Sequence, residues 1–219
     1  MKIETTILIL LTCYSLMLVT LVAFDRLTVG SNLRRADLRV LNYFYLLLIS
    51  LMLVASCTIK AGYFLLQFPD KITVDQLAAF LTVFGVISFL PWEKFSNEVT
   101  VGQYVSRQPA SRIALYTLLR IGFLIIYEWF FRGLLLLSFS EWLGIYWAIV
   151  INVFLYAMLH AHKSKKEMFG CVPLGVLVCV FTLWWQSIWP AIIFHVQLVI
   201  VNEWPLLQKA ISFQKQNAI

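Results

Sequence analysis

Apolar residues dominate seven stretches of the chain, at 6–24, 40–59, 76–92, 111–138, 142–160, 168–185 and 188–207, and short polar connections separate them. Several of the stretches reach the ~17–25 residues that an α-helix needs to span a bilayer. The pattern predicts an all-α fold, a polytopic transmembrane helical bundle of about seven spans. No internal repeat or low-complexity linker interrupts it, so residues 1–219 are read as a single integral membrane domain. The first stretch is too long for the h-region of a signal peptide, and no small-x-small cleavage site follows it. Two spans are irregular. The fourth, with 28 residues, must tilt, bend or extend beyond the bilayer. The sixth contains Pro173 and Gly175, which allow a kink where neighbouring groups re-satisfy the backbone. Pro190 falls in the first turn of the seventh, where a missing N–H costs little.

Composition agrees with this reading. The 219 residues are 61% hydrophobic and only 13% charged, with a mean hydropathy of +0.84. A soluble domain of this size has too few polar side chains here to cover its surface. The net charge of +6 would suggest nucleic acid, but the basic residues lie mostly in the connections, so no nucleic-acid partner is expected. Twelve of them fall on one side of the expected membrane, in 25–39, 93–112, 163–166 and the tail. Lys2, Lys60 and Lys71 fall on the other, and Arg120 and Arg132 lie within spans. The positive-inside rule then puts the N-terminus outside and the C-terminus in the cytoplasm, with a bacterial cytoplasmic membrane as the expected location. Cys13, Cys57, Cys171 and Cys179 lie in or beside apolar segments without Cys-x-x-Cys spacing and read as small buried hydrophobes. Trp142, Trp147, Trp184, Trp185, Trp189 and Trp204 cluster near span ends, as an interfacial belt would.

Against this background two opposite charges stand out inside the fourth span. Glu128 and Arg132 are four residues apart, and four helical residues turn through ~400°, so the two share a face and can pair. A lone charge at bilayer depth costs at least ~2.5–3.5 kcal/mol, so such residues face protein or water and usually mark function. A purely structural ion pair is the plainer alternative. The chain has three histidines: His160 closes the fifth span, His162 opens the following connection, and His195 lies inside the seventh span. Imidazole and carboxylate are the groups most used for acid–base work on water and for binding zinc. No His-Glu-x-x-His helix is present, so a site must be assembled from three different helices.

Taken in order, these stretches resemble the CAAX-protease and bacteriocin-processing (CPBP) family of intramembrane proteases. That family carries Glu-Glu-x-x-x-Arg on one helix, Phe-x-x-x-His on the next, and His-x-x-x-Asn or a similar polar ending on a later one. Here they read Tyr127-Glu128-x-x-x-Arg132-Gly133, then Tyr156-x-x-x-His160, then Ser187-Ile188-Trp189-Pro190 leading to His195. The Lys165-Lys166-Glu167 connection before a glycine-containing helix is similar as well. The resemblance covers roughly residues 110–205, the expected catalytic core. Two positions depart from the family. Tyr127 stands where the family has its first Glu, usually taken to activate water, and Val199 stands where an Asn would help hold the oxyanion. Asn202, seven residues past His195, lies ~10 Å further along the helix axis and cannot replace it.

The resemblance implies an intramembrane peptidase that hydrolyses a peptide bond at or within the membrane by activated water. Glu128 with His160 would activate the water, and His195 would stabilise the oxyanion. Arg132 would orient Glu128 and keep it ionised, and the Tyr127 hydroxyl would assist in a cavity shared by all. The implied partners are a peptide or protein substrate tail, lipidated or not, and membrane lipid. The family has been described both as metal-dependent and as glutamate proteases, so the cofactor is zinc or none. Glu128, His160 and His195 would be the zinc ligands. Tyr127 and Val199 equally fit a catalytically lapsed CPBP-fold scaffold or immunity-type protein. A haem or proton carrier would use His160 and His195 but leaves Glu128-x-x-x-Arg132 unexplained.

Overall fold

The structure, a computed structural model, describes residues 2–30, 38–58, 66–89, 110–161 and 165–201. Among the described residues it is all-helical, with seven helices and no strand. In chain order these are α1 (Ile3–Gly30), α2 (Leu38–Thr58), α3 (Val74–Phe89), α4, α5 (Ile145–His160), α6 (Lys165–Trp185) and α7 (Trp189–Val201). The helix α4 is composite. An α-helical part, Ala110–Glu128, passes into a π-helical turn, Trp129–Leu135, and resumes as α-helix over Leu136–Leu143. Three stretches are long and apolar enough to cross a membrane: Ile3–Phe24, Ser111–Leu143 and Met168–Trp185. Leu41–Ser56, Val74–Phe89, Ile145–His160 and Trp189–Val201 are apolar but shorter. The 16 residues of α5 rise ~24 Å, less than the ~30 Å of a hydrocarbon core, so α5 alone does not reach both faces. The ends of the third and seventh expected spans, 90–92 and 202–207, lie outside the described residues.

The bundle is built around α4. Of its apolar stretch 72% is buried inside the protein, against 22% for α1 and 39% for α6. Along its first half, Tyr45 of α2 packs on Tyr116 and Phe123, with ring centroids 6.0 and 5.3 Å apart. Its second half ends later than the hydropathy pattern suggests. Trp142 and Leu143 still belong to α4, and the break comes at Gly144, with φ 83° and ψ 161°. Only glycine adopts that backbone conformation without strain, and a single residue therefore turns the chain back as α5. From α1, the Tyr14 hydroxyl donates to the Leu155 carbonyl of α5 at 2.9 Å.

The remaining helices fix α7, which carries His195. Thr73 and Gln76 form a reciprocal capping box at the start of α3, with distances of 2.9 and 3.3 Å. The Gln76 amide also donates to the Trp184 carbonyl at the end of α6. Before α7, the Ser187 hydroxyl donates to the Gln67 carbonyl, and the Trp189 indole N–H to that of Leu66, each at 2.9 Å. Further along, the Gln197 amide donates to the Phe84 carbonyl of α3 at 2.6 Å. Phe80, Phe181, Trp185 and Phe194 fill the space between α3, α6 and α7. Trp185 therefore departs from the expected interfacial belt. It is buried against Phe80, whereas Trp142, Trp147 and Trp184 are exposed. Trp204 lies outside the described residues. Cys171 and Cys179 are buried and Cys13 half-buried, all three as free thiols.

Candidate active site

Glu128 is the last α-helical residue before the π turn, and Arg132 sits inside that turn. The wider i→i−5 pattern is visible where the N–H of Leu136 bonds to the carbonyl of Phe131. The same carbonyl accepts a second bond, at 2.7 Å, from the side-chain amide of Asn152 on α5. On the other side of the turn, the Trp129 indole lies against Gly133 and donates to the Ser56 hydroxyl of α2 at 3.0 Å. A Cβ at position 133 would meet the indole at 2.5 Å, so the turn needs a glycine there. Single π turns inside α-helices are rare and concentrate at functional sites. This one is held from two neighbouring helices.

Both charges are fully buried. The Glu128 carboxylate places Oε2 3.4 Å from Arg132 Nε and Oε1 2.5 Å from His195 Nδ1. Arg132 in turn lies with its guanidinium carbon 4.9 Å from the Tyr156 ring centroid and 5.7 Å from that of Phe131. Aromatic faces carry partial negative charge and so favour a desolvated cation there. Its two Nη atoms have no hydrogen-bond partner among the described residues.

Tyr156 joins the histidines. Its hydroxyl lies 2.9 Å from His195 Nε2, while its backbone carbonyl accepts from His160 Nδ1 at 3.0 Å. The His160 ring also packs on the Tyr156 ring, with centroids 4.9 Å apart. His160 is half-buried and within electrostatic reach of Glu128. Thus the histidine in direct contact with Glu128 is His195. Tyr127 is buried, edge-on to the His195 ring at 6.1 Å, and its hydroxyl has no hydrogen-bond partner among the described residues. Val199 is half-buried and packs against the main hydrophobic cluster, so that position adds no polar group to the site. His162 and Asn202 lie outside the described residues.

Asn152 was not singled out from the sequence, and Tyr156 was noted only as the first residue of Tyr156-x-x-x-His160, with no role for its side chain. Asn152, Tyr156 and His160 recur every fourth residue and so line one face of α5. That spacing in an otherwise apolar helix was the available signal. Gly175 lets α6 approach this face, since a Cβ there would come 3.2 Å from Tyr156 Cδ1.

The three residues proposed for zinc do not fit an ion as they stand. A tetrahedral site would hold Glu128 and His195 each ~2.0–2.2 Å from a metal between them. Here the carboxylate meets His195 Nδ1 directly at 2.5 Å, which leaves no room for an ion between them. Among the described residues no three His, Cys, Asp or Glu side chains are grouped as ligands.

An all-helical membrane core with a buried carboxylate, guanidinium and imidazole drawn from α4 and α7, and a second imidazole on α5, defines a polar site enclosed by apolar helices. Residues 109–201 match the family model described as type II CAAX prenyl endopeptidase Rce1-like, and this part of the chain is similar to a CPBP/CAAX-protease core. The match spans every residue placed in the site. No curated protein and no solved structure matches the chain.

Proposed function

We propose that the protein is an intramembrane peptidase that cleaves a peptide tail by adding water to the scissile carbonyl, with Glu128 as the base. The observation that supports this most is the Glu128 carboxylate held between Arg132 and His195, fully buried within a family-matched core. Arg132 offsets the cost of burying an ionised carboxylate. A carboxylate has about four lone-pair sites, so two contacts leave others for water. Glu128 takes a proton as the water oxygen bonds to the carbonyl carbon. The C–N bond then breaks, and the Glu128–His195 pair returns a proton to the leaving nitrogen. The oxyanion needs donors, and the buried Tyr127 hydroxyl, which has no hydrogen-bond partner among the described residues, is one candidate. His160, half-buried at the end of α5, is the other imidazole in reach of Glu128.

An apolar groove of ≈ 380 Å³ supports a lipidated tail as substrate. It runs between α3, α4 and α7, where Ile125 precedes Glu128 by three residues and Ile192 and Val196 flank His195. A prenyl or acyl chain would fill such a groove. The lapsed-scaffold reading is favoured by Tyr127 and by Val199, which packs as an ordinary core residue. Reconstituting the protein in lipid vesicles with matched peptides, one carrying a prenylated C-terminal tail and one unmodified, separates the readings. The proposal expects cleavage, faster for the lipidated peptide. Cleavage of neither by the wild-type protein would establish the scaffold reading instead.

A further inference from the structure

We propose that Asn152 is a positioning residue, the one that holds α4 in its π turn and thereby sets Glu128 and Arg132 against the helix that carries His160. Its side-chain amide donates to the Phe131 carbonyl at 2.7 Å, and the same carbonyl accepts the N–H of Leu136, five residues on. A carbonyl oxygen has two lone pairs, so these two bonds use it fully. The amide cannot be turned round, because a carbonyl has no proton to give to Oδ1. Oδ1 instead accepts from the Cys179 thiol of α6 at 3.4 Å. Asn152 and Cys179 are both fully buried, and Asn152 is a polar side chain inside an apolar helix. A buried amide is costly unless it is hydrogen-bonded, and this one is spent on a single carbonyl of the turn. Helices depart from the i→i−4 ladder where a side chain inserts into it, and here Asn152 is that side chain.

The π turn holds one residue more than an α turn, so everything beyond it is rotated by ~100° relative to an uninterrupted α-helix. Closing it would hand the Phe131 carbonyl to the N–H of Leu135 and turn one half of α4 against the other. Glu128 precedes the turn and Arg132 lies within it, so the turn sets how the pair faces α5. That helix grips two successive residues of the turn. Asn152 holds the Phe131 backbone, and one helical turn on, the Tyr156 ring lies 4.9 Å from the Arg132 guanidinium carbon. His160 follows one turn later on the same face. One helix register therefore fixes the turn, the guanidinium and the second imidazole relative to one another. The structural part of the proposal rests on these contacts alone, and its kinetic part also rests on the hydrolase reading.

The dipeptides Phe131-Arg132 and Arg132-Gly133 each occur once in the chain, which makes the turn addressable by solid-state NMR of the whole protein in lipid bilayers. Phenylalanine labelled with carbon-13 at the carbonyl, together with nitrogen-15 arginine, selects the Phe131 carbonyl. The arginine-carbonyl and glycine-nitrogen pair selects Gly133, whose shifts follow the backbone angles of the turn. A carbonyl that accepts two bonds resonates downfield of one that accepts a single bond. The wild-type Phe131 signal is therefore expected at the downfield edge of the phenylalanine carbonyls. Asn152→Leu keeps the volume and removes the donor, and should move Phe131 upfield and shift Gly133 as the turn closes. Asn152→Ser, whose hydroxyl is too short to reach the carbonyl, gives the same reading if Asn152→Leu does not fold. In the peptide-cleavage assay kcat should fall about ten- to hundredfold with KM within about twofold, because the reacting groups are misplaced. A wild-type Phe131 carbonyl in the middle of the range, or one unmoved by the substitution, overturns the proposal. So does a Phe131 shift that leaves Gly133 where it was, since the turn then stands without Asn152. An unchanged kcat in a variant whose turn has closed overturns the positioning role. Absence of cleavage by the wild type overturns the hydrolase reading instead, and the Gly133 signal then decides whether Asn152 holds the turn.

Discussion

Removing Glu128 should cost the fold more than removing Arg132, although the two form one buried pair. Both side chains are fully buried, so truncating either leaves a charge without its partner. Breaking such a pair typically costs ~3–5 kcal/mol. The two halves differ in what remains. After Arg132→Met, Glu128 still has His195 Nδ1 at 2.5 Å, and an imidazole that takes up a proton restores an ion pair. After Glu128→Gln, Arg132 is left with the Tyr156 and Phe131 rings, contacts it already makes in the wild type. The expected costs are therefore ~3–5 kcal/mol for Glu128→Gln and about 1–3 kcal/mol for Arg132→Met. The double variant should lose about 2 kcal/mol less than the sum, within the range of contacting residues. Unfolding by sodium dodecyl sulfate in mixed micelles, followed by circular dichroism, measures all four proteins. Losses that add to within ~0.5 kcal/mol, or an Arg132→Met protein less stable than Glu128→Gln, would refute the reasoning.

Gly133→Ala drives a Cβ into the Trp129 indole, which is itself anchored on Ser56, and should cost about 1–3 kcal/mol in the same unfolding assay. Gly175→Ala meets Tyr156 and Val153 only at 3.2–3.4 Å and should cost less than ~1.5 kcal/mol. An equal or larger loss for Gly175→Ala would contradict the assigned contacts. For topology, single cysteines placed at Ser31 and Gln67 in a cysteine-free background should label from opposite sides of the membrane, Ser31 from the cytoplasm. Labelling from one face would show the span count or orientation to be wrong.

Helix content and the Glu128–Arg132 pairing were legible because both depend on local spacing. The apolar stretches mark the helices, and an i,i+4 pair meets on any helical face. The π turn was not legible. Its supports come from residues far away in sequence, Ser56 on one side and Asn152 on the other, and hydropathy carries no trace of an i→i−5 bond. The boundary between α4 and α5 was displaced for a related reason. Apolar residues continue on both sides of Gly144, and only its backbone angle ends the helix. Tyr156 was legible as the first residue of Tyr156-x-x-x-His160, but the contact of its hydroxyl with His195 is set by packing between helices. The histidine that touches Glu128 was likewise decided by how α7 is tied to α3 through Gln197, a contact between segments over one hundred residues apart. Trp185, six residues past Cys179 in an apolar helix, looked interfacial and is instead core, because α3 lies across it.

The buried Glu128 carboxylate is proposed to activate water for peptide cleavage. The most direct measurement of this is the cleavage rate of a prenylated peptide by wild-type and Glu128→Gln protein, in the same vesicles and in water enriched in oxygen-18. One heavy oxygen is expected in the new C-terminal carboxylate with the wild type, and a rate at least ~100-fold lower with Glu128→Gln while the variant remains folded by circular dichroism and thermal melting. Cleavage that persists undiminished in a folded Glu128→Gln protein would contradict it.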